Sequence, residues 1–216
     1  MQQREIAAEF HVPHAHPSLR AFRALVLAAW LLPAVALPAS AAPTGSAISV
    51  YVAQYSPDRL LEILREYSPD FESSYLATVA YSRFLIDGHW IRWELEGQLV
   101  QHWGQQSHQE LNGAIVARWL RFPWDRFLDT SLAVGEGLSI ASRVPPLEPR
   151  SGPTEGESTR LLNYLLVELE FAPPQDSPWS AFVRIHHRSG IYGIFGNIKG
   201  GSNFIGLGLR YTLPKR

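Results

Sequence analysis

Alternating apolar and polar residues dominate the chain after residue 45. In the segment IRWELEGQLVQHW, large apolar side chains share one face of an extended strand, and charged or amide side chains share the other. The segments LLNYLLVELEF and NFIGLGLRYTL alternate in the same way. Alternation with a period of two over this length predicts β-strands.

The pattern predicts eight strands and one short helix. The helix lies in the segment SPDRLLEILREYSPDF, where Leu60, Leu61 and Leu64 have helical spacing and Ser56 could cap the first turn. Most of the strands exceed the roughly 5–6 residues usual in soluble sheets and suit the roughly 9–11 that cross a bilayer. The strands are predicted over eight ranges: 46–55, 74–86, 89–103, 108–121, 128–140, 160–171, 179–189 and 201–213.

The two faces of these strands predict a transmembrane β-barrel. The apolar face carries aliphatic and aromatic side chains, as a lipid-facing band does. An eight-stranded barrel is just wide enough for side chains to fill it, so the charged face predicts a lumen plugged by ion pairs. The charged residues expected in the lumen are Arg92, Glu94, Glu96, Arg118, Glu168, Glu170, Arg184 and Arg210.

Connection lengths support an outer-membrane barrel. If the N-terminus of the barrel is periplasmic, the outward connections are the longer ones on the whole, and the inward ones have seven residues or fewer. The dipeptide Asp87-Gly88 predicts a two-residue hairpin turn among the inward connections. The alternative is a soluble, lipocalin-like barrel or sandwich in the periplasm, with the apolar row inside.

The N-terminal region has the features of an export signal. Two arginines precede an apolar run over 24–37, which leads to an A-x-A site at Ala39 and Ala41. The run is shorter than the roughly 20 residues of a membrane-spanning helix, which is the alternative. We therefore predict a signal peptide over 1–41 and an eight-stranded barrel over 42–216.

Composition narrows the classes of function. The chain has 19 basic and 20 acidic residues, so no basic excess points to nucleic acid. Cysteine is absent, which excludes a disulfide framework, a thiolate metal site and a cysteine nucleophile. The histidines His102 and His108 flank a short loop without a carboxylate spacing that suggests a metal, so we predict neither a metal nor a cofactor.

His187 and Ser189 are the strongest candidates for chemistry. They lie two residues apart, so they continue the apolar, outward row of the strand over 179–189 near its outer end. Polar side chains in a lipid-facing row are costly unless they are satisfied or functional. A serine hydroxyl becomes a nucleophile beside a base, which a histidine can provide. The alternative is an interfacial histidine followed by a serine that begins a loop.

Neighbouring residues could supply the other parts of a hydrolase. Asn203, on the next strand, shares the outward row and could orient the imidazole. Gly190 and Gly193 follow the serine and are candidates for backbone donors to an oxyanion, because glycine allows close approach of a substrate.

The segments IHHRSGIYG and GGSNFIGLGLRY resemble the active-site strand and the final strand of the outer-membrane lipid A 3-O-deacylases of the PagL type. The segment RFLDTSLAVGEGLSI is similar in texture to the fifth strand of that family. The resemblance implies an eight-stranded barrel that hydrolyses an ester-linked acyl chain of lipid A, with His187 as base and Ser189 as nucleophile. It implies no cofactor and a lipopolysaccharide substrate.

Two positions depart from the pattern of this family. Gly190 stands where the family usually has asparagine, and Asn203 stands at the position of its carboxylate. A neutral amide can hold the tautomer of His187, but it does not stabilise an imidazolium as a carboxylate does. Glu136, on the apolar row of the fifth strand, is an alternative acid, although the sixth strand separates it from the seventh.

The sequence therefore favours a membrane-embedded serine esterase of the outer membrane, acting on lipid A. Two other functions stay open. One is a non-catalytic outer-membrane barrel with a structural or adhesive role, and the other is a soluble periplasmic lipid-binding barrel. A homodimer is also left open.

Overall fold

A computed structural model describes residues 45–66, 68–148, 158–174, 177–191, 194–195, 198 and 201–214. The signal peptide predicted over 1–41 and the oxyanion candidate Gly193 lie outside the described residues, so both stay predictions. Within the described ranges, no helix is both long enough and apolar enough to cross a membrane.

All eight predicted strands are present, and their ends lie within two residues of the predicted ends. The outer connection between the first two strands contains one short helix, as expected. The elements are β1 (Ser46–Ser56), α1 (Leu60–Glu66), β2 (Ser74–Asp87), β3 (Ile91–Gly104), β4 (Gln109–Trp119), β5 (Asp129–Ala141), β6 (Leu161–Ala172), β7 (Trp179–Ser189) and β8 (Gly201–Thr212).

The strands form one closed antiparallel barrel, which confirms the predicted fold class. Each strand pairs with its neighbours in sequence, and β1 closes the barrel by pairing with β8. The two-residue turn predicted at Asp87-Gly88 is wrong, because the connection covers 88–90 and the ladder beside it shifts register between Phe84 and Ile86. The inner connection over 120–128 is also longer than predicted.

The outer surface of the barrel is apolar. Exposed aliphatic and aromatic side chains lie on the outward rows of all eight strands, with Leu99 and Leu207 exposed by 67% and 66%. An apolar surface of this extent fits lipid and is costly in water. The soluble alternative with the apolar row inside is therefore wrong. Ile185 lies on the outward row as predicted, yet it is only 9% exposed.

The lumen is filled by paired charges. Arg118 donates to Glu94 at 2.9 Å and to Glu168 at 2.7 Å. Arg184 donates to Glu96 at 2.6 Å and to the other oxygen of Glu168 at 2.7 Å. All five side chains are buried, and buried charges are tolerated when they are paired and hydrogen-bonded. The barrel is thus plugged by the charged rows that the sequence alternation predicts.

The helix α1 begins differently from the prediction. The backbone N–H of Arg59 donates to the Glu62 carboxylate at 2.9 Å, as in one half of a capping box. Ser56 does not cap the helix, because its hydroxyl instead lies 3.4 Å from the carboxylate of Asp58. The helix buries Ile63, whereas two of the leucines that set its spacing remain exposed.

Candidate active site

A group of polar residues lies on the outward face of β6, β7 and β8, near the outer end of the barrel. Residues i and i+2 of a strand share a face, so the antiparallel register arranges the outward side chains of these strands in rows. The outer-wall patch consists of two such rows: Asn163, Ser189 and Gly201, then Leu165, His187 and Asn203.

A chain of hydrogen bonds orients His187. Its Nδ1 lies 2.6 Å from Oδ1 of Asn203, and Nδ2 of Asn203 donates to the backbone carbonyl of Asp58 at 2.7 Å. Because a carbonyl only accepts, the amide nitrogen must face Asp58 and the amide oxygen must face the imidazole. The proton of the neutral ring is then on Nδ1, and Nε2 keeps its lone pair. This is the tautomer that a general base requires.

Asp58 was not identified from the sequence. It lies in the connection over 57–73, 145 positions before Asn203. The closure of the barrel brings the two together, because Ser56 at the end of β1 pairs with Asn203 on β8. Sequence reasoning could have found this loop only by placing the first strand beside the last one, so that the residues after β1 lie next to Asn203.

Ser189 lies on the same face as His187, two residues further along β7, and is half-buried. Among the described residues, no hydrogen bond joins the side chains of His187 and Ser189. The two side chains therefore share a face of β7 without being hydrogen-bonded to each other. Hydrogen bonds between catalytic groups are often long before substrate binds. Gly201, opposite Ser189, leaves room on one side, since a Cβ there would lie only 3.1 Å from the Cβ of Ser189.

Asn163, a residue of the outer-wall patch, was also missed by the sequence analysis. It lies opposite Ser189 on β6 and is 2% exposed, and its Oδ1 has no hydrogen-bond partner among the described residues. An unpaired buried amide oxygen is costly, so it calls for an explanation. A signal was available, because Asn163 is the polar residue on the otherwise apolar outward row of β6.

Gly190 has a packing reason to be glycine. A Cβ at this position would lie 2.1 Å from the carbonyl oxygen of Ile198, so the close approach of the loop requires the absence of a side chain. Its own carbonyl accepts a hydrogen bond from the N–H of Phe195 at 3.0 Å. Its role as an oxyanion donor stays a prediction.

Glu136 lies on the outward row of β5, opposite Leu165 on β6, which in turn lies opposite His187 on β7. One complete strand therefore separates the carboxylate from the imidazole. Glu136 instead shares a hydrogen bond with the side chain of Asn163. This places Glu136 beside the residue that faces Ser189, and away from the histidine that it would have to orient.

On the opposite face of β7, the alternation predicts that His186 and Arg188 point into the lumen and pair with Glu168 or Glu170 of β6. Both point inward, but the predicted pairing is wrong. Nε2 of His186 lies 3.1 Å from Glu110, and Arg188 contacts both Glu110 and Glu148. The register places the glutamates of β6 opposite Arg184 and Phe182, nearer the inner end. Burial raises the pKa of Glu148, in the outer connection, to about 7.

The lumen also contains the residues that could hold a metal. Ligand atoms of His102, His108 and Glu110 lie within 4.8 Å of one another, and all three side chains are buried. The sequence analysis found no carboxylate spacing around the two histidines. In the barrel, Glu110 follows His108 by two positions on the same lumen-facing row and reaches both rings.

Comparisons with known proteins identify the fold of the chain. No family model matches it, and no curated protein sequence matches it. The crystal structure of the outer membrane enzyme PagL is 12% identical with a TM-score of 0.54, and the match covers 77% of this chain and 99% of that one. The crystal structure of the N-terminal β-barrel domain of Pseudomonas aeruginosa OprF is 10% identical with a TM-score of 0.44, covering 79% and 98%. The likeness to PagL shows a shared barrel fold.

Proposed function

We propose that this protein is an outer-membrane serine esterase that removes an ester-linked acyl chain from lipid A, as a lipid A 3-O-deacylase-like carboxylic ester hydrolase. The observation that carries the proposal is the hydrogen-bonded chain from Asp58 through Asn203 to His187, which leaves the lone pair of the imidazole on Nε2, two residues from Ser189. Export by the signal peptide over 1–41 and residence in the outer membrane belong to the same proposal, which the barrel fold supports.

The reaction needs only the residues of the chain and water. Oγ of Ser189 attacks the ester carbonyl while its proton passes to Nε2 of His187. The ester C–O bond then breaks, and His187 returns the proton to the departing hydroxyl of lipid A. Water, deprotonated by the same imidazole, hydrolyses the acyl-enzyme, which releases a fatty acid and restores Ser189.

Asn163 is the side chain best placed to stabilise the oxyanion. Directly opposed residues in an antiparallel pair have Cβ atoms roughly 4.5–5.5 Å apart, which brings its amide next to Ser189. The amide has two N–H groups, and the hydrogen bond shared with Glu136 uses at most one of them. The other can donate to the tetrahedral intermediate. The backbone N–H groups of Gly190 and Gly193 are the further candidates for this role.

The position of the patch suits a substrate that is already in the membrane. The outward row below Ser189 and His187 continues with Val183, and Leu207 lies on the next strand, exposed by 66%. Acyl chains can lie along these apolar side chains while the ester reaches the outer end of β7. Lipid A would therefore arrive by lateral diffusion, without entering the plugged lumen.

The proposal is tested by mass spectrometry of purified lipid A after incubation with the purified full chain in detergent. We expect a loss equal to one ester-linked acyl chain, with release of the matching fatty acid. Ser189→Ala is the matched inactive control, and heat-modifiable migration on gels reports that the barrel is folded. If folded wild-type protein releases no acyl chain from lipid A, the function is that of a non-catalytic barrel with a structural or adhesive role.

A further inference from the structure

Three histidines converge on one carboxylate at the outer end of the lumen. The Nε2 atoms of His102 and His108 each lie 3.0 Å from one oxygen of Glu110, and Nε2 of His186 lies 3.1 Å from the other. All four residues are at most 3% exposed. The cluster joins the hairpin of β3 and β4 to β7 across the inside of the barrel.

Hydrogen bonds within the cluster leave several buried atoms unpaired. Among the described residues, His102 Nε2, His108 Nδ1 and Gln106 Oε1 have no hydrogen-bond partner, although Gln106 Nε2 lies 3.4 Å from His102 Nδ1. Exchanging the oxygen and nitrogen of the Gln106 amide lets Nδ1–H of His102 donate to Oε1. In this tautomer the lone pair of His102 Nε2 faces a carboxylate oxygen at 3.0 Å, and a cation between the two atoms would replace their repulsion by two favourable contacts.

The arrangement of the two rings limits their charge. The imidazoles of His102 and His108 are stacked, with centroids 4.1 Å apart and planes 10° apart. Two imidazolium ions at this separation would repel strongly in a buried site, so both rings cannot be charged. Neutral rings present two nitrogen atoms to one oxygen of Glu110, all within 4.8 Å of one another, and at least one ring has to tilt out of the stack for both lone pairs to reach one ion.

The surplus of buried carboxylates over guanidiniums in the lumen is compatible with a bound cation. Arg188 is shared between Glu110, at 3.4 Å, and Glu148. Of the described lumen side chains exposed by 14% or less, six are carboxylates and four are guanidiniums. Surplus buried negative charge has to be offset by protons or by a cation. The carboxylates are Glu94, Glu96, Glu110, Glu148, Glu168 and Glu170, and the guanidiniums are Arg118, Arg184, Arg188 and Arg210.

We propose that this cluster binds one Zn²⁺ ion through Nε2 of His102, His108 and His186 and a carboxylate oxygen of Glu110. Three imidazoles and a carboxylate form a nitrogen and oxygen donor set that zinc prefers. Bonds of about 2.0–2.2 Å place tetrahedral ligands roughly 3.3–3.5 Å apart, so the site forms once the stacked rings tilt apart and His186 moves toward the group made by His102, His108 and Glu110. The Tyr51 hydroxyl, 2.8 Å from Nδ1 of His186, fixes the other nitrogen of that ring.

The ion has a structural consequence for the barrel. It links the hairpin of β3 and β4 to β7, the strand whose outward face carries His187 and Ser189. The ligands lie on the lumen side of the wall, so zinc binding does not depend on the esterase proposal. Its test therefore measures metal content and stability, with no assay of lipid A.

The test begins with the purified full chain, folded in detergent, stripped by a chelator and equilibrated with Zn²⁺. We expect one zinc per chain by mass spectrometry of the metal, and a thermal midpoint that rises with zinc concentration, because the ion binds the folded state. The zinc affinity of the double variant His102→Asn/His108→Asn should fall by more than roughly 10–100-fold. That range is the loss expected when a residue that only hydrogen-bonds to a metal ligand is removed. His89→Asn is the matched control, since this histidine is exposed in the inner connection over 88–90.

A second readout keeps the result independent of how the variants fold. Co²⁺ in place of Zn²⁺ should give the intense visible absorption of a tetrahedral site in wild-type protein. Folded wild-type barrel that binds no stoichiometric zinc and gives no such spectrum overturns the proposal. Equal zinc binding by a folded double variant and by His89→Asn overturns it as well, because the ion would then be held elsewhere.

Discussion

The Nδ1 atom of His187 lies 2.6 Å from Oδ1 of Asn203, and the orientation of that amide is set by the backbone carbonyl of Asp58. The three residues come from β7, β8 and the loop after β1. The tautomer of the His187 ring is therefore set by contacts at the place where β1 pairs with β8 and closes the barrel. A neutral amide can do this because the backbone carbonyl removes the ambiguity between its oxygen and its nitrogen.

Removal of either member of the pair should abolish chemistry and leave the barrel intact. We expect Ser189→Ala and His187→Ala each to reduce acyl release from lipid A by at least about 10⁴-fold, the scale of losing a triad member. Ser177→Ala and His89→Ala, in the inner connections, are matched controls that should keep activity. Near-full activity in either variant of the pair, with folding checked by gel migration, would assign the chemistry to another group.

Asn203→Ala should slow the reaction less than loss of the serine. The imidazole would lose the partner that selects its tautomer, and we expect a decrease of roughly 10- to 100-fold, or about 1.4–2.8 kcal/mol of barrier. Asn203→Asp should also be less active than wild type, because a carboxylate oxygen would replace the N–H that donates to Asp58 at 2.7 Å. The rates of both variants on purified lipid A test these expectations. A more active aspartate variant would show that stabilisation of the imidazolium by the carboxylate outweighs the repulsion between that carboxylate and the Asp58 carbonyl.

Asn163→Ala should lower kcat by roughly 10²–10³-fold, with a smaller change in KM, because an oxyanion donor acts in the transition state. Steady-state kinetics on lipid A separate the two parameters. Asn112→Ala is a control for the loss of a buried asparagine, since Asn112 lies in the lumen, where it donates to Gln98. A rise in KM at constant kcat for Asn163→Ala would assign that residue to substrate binding instead.

Breaking the lumen network should destabilise the barrel. Arg184→Leu removes the donor to Glu96 and Glu168 and leaves both carboxylates short of a partner in a buried site. We expect a loss of about 3–5 kcal/mol in the free energy of unfolding, measured by denaturant titration in detergent. Arg92→Leu, which breaks the more exposed pair with Asp87, should cost no more than about 1 kcal/mol. Equal losses in the free energy of unfolding would mean that burial does not determine how much these ion pairs contribute to stability.

Glu148 should make the zinc-free barrel less stable as the pH rises. Burial raises its pKa in the folded protein to about 7 from 4.5, against the opposing effects of Arg188 and Ser158 and with a contribution from Glu110. The stabilisation from protonated Glu148 is complete below pH 4.5 and is lost as the pH rises through 7. Thermal midpoints of wild type and Glu148→Gln, measured from pH 4.5 to 8, should diverge. Parallel profiles would show that Glu148 does not titrate in this range.

Alternation of side chains by itself determined the eight strands and the face on which each residue lies. A strand has only two faces, so the charged rows had to fill the lumen once the apolar rows were placed outside. The outward position of His187 and Ser189 follows from their place in the alternation, because they continue the apolar row of β7. The three-residue connection over 88–90 was missed, because Asp87-Gly88 is a local signal that the register shift in the ladder overrides.

Only the tertiary structure decided which residues meet. Asn203 contacts Asp58 across 145 positions because β1 and β8 close the barrel, and Asn163 lies beside Ser189 because of the register of β6 and β7. Glu110 meets His186 across the lumen, although the sequence alternation shows only that both point inward. Contacts across a closed barrel depend on how all eight strands are staggered relative to one another. The alternation within a single strand gives the face on which a residue lies, but it does not give the residue's neighbours on distant strands.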